Sequence, residues 1–560
     1  MSSDFMALLT IMATFWLAMF VIFVMLNRGI WVFTDVSKSM SMFMLEKALG
    51  PAVDFVEGRK GSGAKTWIMH GALWLVPSSF FTFSGLWVAH DPTALNSLSS
   101  WGYSPSSEEL ILAGNLTALH GAVAMLLIGA GMHIVPKLGG TNLASERNAA
   151  LMSFVWTLSV AIMMVGAHSP QLLGIKVLFV GTMIQSLVVV AVIVNQLLTA
   201  SSRTRKMPLP AWLIIIGLVS YPVALSVVLI SGEIETGLGQ WALVRMVGGA
   251  FFFMQVAGVS LYAASIGTGN QLWSRSLSAV ILMGAIFTLN PLGDNTGSIA
   301  AGLLGLEQGI LEASNTDVIA GSFLMALAAI PIIALSSNIL VTMRGDDVFV
   351  ENPDYPGMPE INLGGLMLIP LGIGALFVQT DSITSTNELA GISGTIFLMV
   401  SWLLMIPLSL GPALAIFPEV SGRSLLSNIR SRWAFWMMAG GAFSGLLMTL
   451  MADFSDMALL EIDSESNLDG ISKEIRVIGS VLFYGTVIGS IMHCLNIISG
   501  TFRGSISGAD QPTSSTSIGQ ESFKLTSGTT VRKILASGAG LDTEVVPTLQ
   551  TDKPGSKTEL

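Results

Sequence analysis

The stretch TALHGAVAMLLIGAGMHIVPKLGG, residues 117–140, decides how the rest of the chain is read. It is apolar over the length of a membrane-crossing helix, carries His120 near its start and His133 near its far end, and leaves through Pro136 and a glycine pair. An ionisable side chain inside a lipid-length helix is costly and is usually kept for a purpose. The stretch therefore raises one question: what His120 binds, and whether the partners it would need are present.

Composition answers the question of class first. Of 560 residues, 52% are hydrophobic and only 11% charged, and the mean hydropathy is +0.71. That is too little charge to cover a globular surface of this size, and it fits an integral membrane protein. The net charge of −10 argues against a nucleic-acid partner. The single cysteine, Cys494, excludes a disulfide framework and a thiolate metal cluster. The opening MSSDFMALLTIMATFWLAMFVIFVMLNRG has no positive residue before its apolar run and no small-residue cleavage site after it, so it is expected to be a retained anchor helix rather than a signal peptide.

Runs long enough to cross ~30 Å of hydrocarbon fall at 6–27, 66–90, 111–135, 147–168, 172–199, 211–231, 242–265, 275–293, 316–343, 363–380, 389–416, 431–452 and 475–499. The run at 275–293 is the least regular, ending in the polar TLNPLGDNTG. Strict alternation at period two is absent, which excludes barrel strands. The expected fold is an all-α integral membrane protein of thirteen transmembrane helices. Its parts are an N-terminal anchor within 1–35, a cytoplasmic interfacial segment over 36–65, a helical bundle over 66–503 and a disordered Ser/Thr/Gly-rich tail over 504–560. No repeat with a period of 20 to 50 residues is evident.

Charge alternates between the connections. Lys38, Lys60, Lys65, Lys137, Arg147, Arg203, Arg205, Arg275, Arg344, Arg423 and Arg430 mark one side, and Asp91, Glu108, Glu109, Glu233, Asp294, Asp381 and the acidic loop from Asp453 to Asp469 mark the other. Basic loops stay in the cytoplasm, so the N-terminus is expected outside and the C-terminus inside.

Six histidines carry most of the chemistry on offer: His70, His90, His120, His133, His168 and His493. His90 and His168 stand at helix ends beside Asp91 and Pro170, where a solvated interfacial imidazole is the simplest expectation. His133, one turn from Lys137, is expected to face headgroups. His70 and His493 are expected to be packed and hydrogen-bonded inside the bundle. No buried chain of carboxylates crosses the membrane, and no phosphate-cradling loop, acid pair or Ser/His/Asp set stands out. His120 has the strongest claim to a ligand, because a neutral imidazole is the usual protein ligand to heme iron. Its small neighbours Ala118, Gly121, Ala122 and Ala124 would admit a flat macrocycle or, equally, another helix. Gly440, Gly441 and Gly445 pose the same choice between a partner subunit and the bundle itself.

The stretch 117–140 also resembles the second core helix of subunit I of the heme-copper oxidase superfamily, closest to the cbb-type oxidases and nitric oxide reductases. VRMVGGAFFFMQVAGVSLYAASIGTGNQLWSRSLS resembles the sixth helix, and SSNILVTMRGDD (Asn338, Thr342, Gly345) the end of the eighth. GISGTIFLMVSWLLMIPLSLGPALAIFPEVSGRSL with RSRWAFWMMAGG resembles the tenth and eleventh, and IRVIGSVLFYGTVIGSIMHCLNIISGTFRG (Arg476, Gly479, Asn496, Thr501) the last. The resemblance covers residues 66–503, implies a twelve-helix bundle after the anchor, and points to a prokaryotic plasma membrane.

It implies an axial heme ligand at His120, and it also shows what is missing. An active member needs six histidines. The sixth-helix ligand falls at or beside Gly249, the seventh helix ILMGAIFTLNPLGDN has none, and the tenth-helix pair falls near Asn387 and Leu389. Residues 169–492 contain no histidine at all. The resemblance therefore implies no copper centre and no oxygen or nitric oxide reduction by the family mechanism. It leaves at most one heme b on His120, with His168 or His90 as a substitute second ligand. Three readings stay open. One is a scaffold or accessory subunit of a respiratory complex beside a cytochrome c or copper-domain protein. Another is a transporter or sensor of a hydrophobic small molecule. The last is an oxidase whose ligands come from elsewhere.

Overall fold

The computed structural model describes residues 60–231, 242–288, 326–344, 352–384, 392–462 and 469–505. The anchor, most of the interfacial segment, and the tail beyond 505 lie outside the described residues, as do parts of the spans expected at 275–293, 316–343 and 389–416.

The described chain is helical almost throughout. In order the helices are α1 (Ser62–His90), α2 (Ser107–Gly139), α3 (Glu146–His168), α4 (Val177–Ser201), α5 (Leu209–Ser231), α6 (242–268), α7 (Arg275–Thr288), α8 (Ala329–Met343), α9 (Met358–Thr384), α10 (393–421), α11 (Asn428–Ile462) and α12 (Asp469–Arg503). Nine of them are long and apolar enough to cross a membrane: α1 to α6 and α10 to α12. The protein is thus a multi-pass α-helical membrane protein. Apolar side chains face outward without cost in lipid, as at Phe80, Leu158, Leu187, Trp433 and Trp436.

One expected boundary moves. The run at 172–199 begins as an exposed two-stranded hairpin, β1 (Gln171–Leu172) against β2 (Ile175–Lys176), and becomes helix only at Val177. Pro170 cannot continue α3, and Leu173 and Gly174 both take positive φ, the backbone that joins two strands in a tight hairpin.

With hydrophobic contrast absent inside lipid, close helix contact depends on small residues. A Cβ on Gly441 would lie 2.5 Å from the Thr486 backbone N, and one on Gly445 2.8 Å from the Gly479 carbonyl. Both therefore seat α11 on α12, whereas Gly440 faces open space. In the same way a Cβ on Gly121 would strike Trp74 at 2.8 Å, so the small face beside His120 is used for packing α2 on α1. Indoles tie the core together: Trp67 packs on Trp156 at 5.8 Å and donates to the Ala149 carbonyl at 2.7 Å.

A repeat longer than any sought in the sequence organises the bundle. The motif Gly-x-x-Leu-x-Ser occurs at Gly140–Ser145, Gly269–Ser274 and Gly422–Ser427, at the exits of α2, α6 and α10. Each glycine takes positive φ and ends its helix. Each leucine (Leu143, Leu272, Leu425) is buried. Each serine hydroxyl accepts from the backbone N–H three residues on, capping α3, α7 and α11.

An asparagine from the following helix then clamps the serine backbone at both its N–H and its carbonyl. Asn195 does so at 3.1 and 2.8 Å, Asn338 at 3.1 and 2.9 Å, and Asn496 at 3.0 and 3.1 Å. The same three helices that end in the motif each carry a stretch of π-helix, at Thr117–Val123, Ala242–Phe252 and Ser401–Met405. Each stretch ends seventeen residues before its glycine. The described helices thus repeat as three groups of four.

Candidate functional site

His120 stands inside the first π-helical stretch. A π turn widens the helix and leaves carbonyls without their usual i+4 partners, which is why such turns recur at functional sites. Side chains brace the turn: Thr117 Oγ1 donates to the Ala113 and Gly114 carbonyls at 2.7 and 3.1 Å, beside the Thr117 backbone N–H that they also accept, and Trp156 Nε1 donates to the His120 carbonyl at 2.6 Å.

The imidazole projects from this turn among aromatic rings. Phe252 lies edge-on at 5.8 Å between centroids, and Tyr221 at 6.5 Å. Tyr221 donates to Gln185 Oε1 at 2.6 Å, and Gln185 in turn lies within interaction range of the imidazole. Among the described residues, buried His120 Nδ1 and Gln185 Nε2 meet no hydrogen-bond partner. The ring itself is only half-buried although Trp156, Tyr221, Phe251, Phe252 and Gln185 around it are all buried, so it borders a gap in the packing.

The repeat gives His120 two counterparts. It stands twenty residues before Gly140, and the same step from Gly269 and Gly422 leads to Gly249 and Trp402, each in its own π stretch. The first and third π stretches touch. Trp402 is fully buried and its Nε1 has no partner. Asn387 and Leu389, where the resemblance places the tenth-helix pair, lie outside the described residues.

The other histidines meet their sequence expectations unevenly. His90 is not solvated: it is 8% exposed, its ring packs on Trp87 at 4.9 Å and its Nε2 has no partner. His168 is half-buried rather than free in the interface. Its Nε2 lies 3.0 Å from Tyr103 Oη and its Nδ1 3.1 Å from the Met164 carbonyl. Burial, and Glu109 nearby, hold the Tyr103 phenol above its ordinary range. Tyr103 is therefore a donor at neutral pH, and both His168 nitrogens are engaged. Neither His90 nor His168 is among the ring neighbours of His120 in the described residues.

His133 is partly exposed and has an acid beside it. It lies 3.1 Å from Glu419 Oε2, which also accepts from Lys137 Nζ at 2.7 Å. Nothing local in the sequence announces Glu419, which is 286 residues from His133. His70 is hydrogen-bonded as expected, to Ser153 Oγ at 3.1 Å. His493 is packed as expected but not hydrogen-bonded. Neither nitrogen has a hydrogen-bond partner among the described residues, and Nε2 faces buried Glu360 at the longer ion-pair distance of 3.7 Å.

At the opposite end of the bundle from Glu419, Arg476 joins two acids. Its Nη1 meets Asp453 Oδ1 at 2.7 Å and its Nη2 meets Asp456 Oδ2 at 2.5 Å, while Thr395 Oγ1 donates to Asp453 Oδ2 at 2.5 Å. This cluster borders a cavity of about 490 Å³. A second, almost wholly apolar cavity of about 430 Å³ opens between α9 and α11. Among the described residues no three His, Cys, Asp or Glu side chains converge as a metal site would require.

Fold and sites together define a multi-pass helical membrane bundle built on a threefold repeat, with a half-buried imidazole on a π turn. Comparison with protein-family models finds no match, and comparison with curated proteins finds none either.

Proposed function

We propose that the chain is a non-catalytic or single-heme relative of heme-copper oxidase subunit I, acting as a scaffold or accessory subunit of a respiratory membrane complex. The observation that carries the reading is His120: an imidazole in a π turn whose buried Nδ1 has no hydrogen-bond partner among the described residues, Gln185 being the polar side chain nearest to it. A buried polar atom without a partner costs ~1–3 kcal/mol, and an imidazole in that state is suited to ligation.

His120 would hold the iron of a heme, Trp156 fixes the His120 backbone, and Tyr221 and Phe252 would stand beside the group. A bound heme b would supply one-electron transfer. Tyr221 is committed to Gln185, which keeps its hydroxyl away from the imidazole. No copper centre is part of the proposal, because residues 169–492 offer no histidine for one and copper in this family is held by imidazoles. The partners proposed are the lipid bilayer and a cytochrome c or copper-domain subunit.

The test is a reduced-minus-oxidised spectrum of purified protein. A heme b band that His120→Ala abolishes supports the single-heme form. Protein without heme or iron, still co-purifying with a respiratory subunit, supports the scaffold alone. Copper with two hemes per chain overturns the proposal. A second reading, a transporter or sensor of a hydrophobic small molecule, is favoured by the cavity of about 490 Å³, which is within the range of small-molecule sites.

A further inference from the structure

The imidazole of His493 stands beside an acid, and the heme reading uses neither group. Glu360 lies in the first turn of α9 and His493 in the second half of α12, at 1% and 0% exposure. Glu360 Oε1 is 3.7 Å from His493 Nε2. Among the described residues, Glu360 Oε2 and both ring nitrogens meet no hydrogen-bond partner, nor does Ser490 Oγ one turn earlier on α12. Gly411 of α10 lets Glu360 come close, since a Cβ there would lie 3.0 Å from the Glu360 Cβ.

Charged groups on the neighbouring elements are committed elsewhere. On α10, Glu419 holds Lys137 and His133. Asp354, just before α9, pairs with Arg432 of α11, and Asp453 and Asp456 of α11 pair with Arg476. On α1, His70 meets Ser153. Lys65, His90, Arg344, Arg430 and Arg503 stand at helix ends. Tyr262, Tyr355 and Cys494 are uncharged at neutral pH. Among the described residues, Glu360 and His493 therefore have only each other to balance a charge.

A lone carboxylate or imidazolium in such a place bears the full penalty of an unpaired buried charge. A pair that holds one proton between its members avoids it, because the net charge is zero whether the proton is on the acid or on the ring. Gaining or losing a proton would leave one unbalanced charge, so the two groups titrate as a unit. The resting form is the neutral one, since a buried ion pair needs further hydrogen bonds and these atoms have none among the described residues. Transfer breaks the Glu360 O–H bond and forms His493 Nε2–H, leaving carboxylate and imidazolium. Side-chain rotation has only to close 3.7 Å to hydrogen-bond length. Water comes near: residue Glu360, with Asp354, Ser431 and Arg432, borders a cavity of about 20 Å³, space for one water.

We infer that Glu360 and His493 form a proton-binding site within the bundle, an acid–imidazole pair that holds one exchangeable proton and passes it from Glu360 to His493. Acid and imidazole groups inside membranes serve as such relays in pumps and transporters. The inference does not depend on a heme at His120.

Infrared spectra of the full chain in phosphatidylcholine nanodiscs, in light and heavy water, test it. A protonated-carboxyl C=O band is expected at neutral pH, far above the value of about 4.3 at which a free glutamate ionises, and it should shift down in heavy water. Glu360→Gln should remove it. His493→Leu should keep the band but move it to higher frequency, because the acid loses its proton acceptor. Glu360→Asp keeps an acid of shorter reach and should reproduce the His493→Leu position without touching the ring. A band that appears only in His493→Leu would put the resting proton on the ring and would equally support the pair. No Glu360-dependent band in either protein, or the same band position in wild type and His493→Leu, overturns the inference.

Discussion

At the ends of the bundle charged groups are hydrogen-bonded in pairs, and in its middle two imidazoles have ring nitrogens with no hydrogen-bond partner among the described residues. Glu419 collects Lys137 and His133 at one end, and Arg476 holds Asp453 and Asp456 at the other. Between them His120 Nδ1 and both nitrogens of His493 have no hydrogen-bond partner. The difference runs against simple cost. An exposed ion pair contributes little, whereas an unpartnered buried group is expensive wherever it occurs. The acids at the two ends are satisfied by bases brought from other helices, while His120 and His493 keep hydrogen-bonding capacity unused.

Four substitutions would break or sharpen that contrast, each measured as thermal unfolding in detergent. The largest loss is expected for Arg476→Ala, which strands Asp453 with one remaining partner, Thr395, at a site where its side chain is 10% exposed. Breaking such a pair costs about 3 kcal/mol, and an unchanged melting temperature would mean that the cluster is not formed. Next is Trp156→Phe, which removes the donor to the His120 carbonyl and leaves that carbonyl unpaired in the π turn, for a loss of about 2 kcal/mol. This loss should be insensitive to salt. Glu419→Gln should cost about 1 kcal/mol, and that cost should shrink in 1 M salt because the pair is partly open to solvent. The smallest effect belongs to His120→Leu in cofactor-free protein, within ~1 kcal/mol of wild type, since replacing an unpartnered polar group by an apolar one is near neutral. A large loss there would reveal a partner for the ring and remove the contrast between ends and middle.

Much of the fold was legible in the sequence because hydropathy is a local property. A run such as 177–201 reports its own need for lipid whatever it packs against, and a helix follows because lipid leaves no other way to satisfy the backbone. Failures came where one residue depends on another far away. His90 looked interfacial from its position beside Asp91, yet Trp87 on its own helix covers it. His133 looked solvent-facing because its acid lies in α10. The threefold repeat was present in letters, as Gly-x-x-Leu-x-Ser at 140, 269 and 422, but its spacing exceeds the periods usually sought. Its meaning also depends on asparagines 50 to 69 residues beyond each serine.

What the sequence by itself determined was the membrane class, the order of the helices, and the absence of histidine from residues 169–492. These follow from composition and counting, which no tertiary contact can change. Whether Gly121 admits a macrocycle or the ring of Trp74, which glycine of 440, 441 and 445 seats a helix, and which imidazole keeps an unused nitrogen were decided only by tertiary structure. Each of those answers depends on which helix faces the residue, and lipid-facing and helix-facing apolar side chains read alike in a one-dimensional chain.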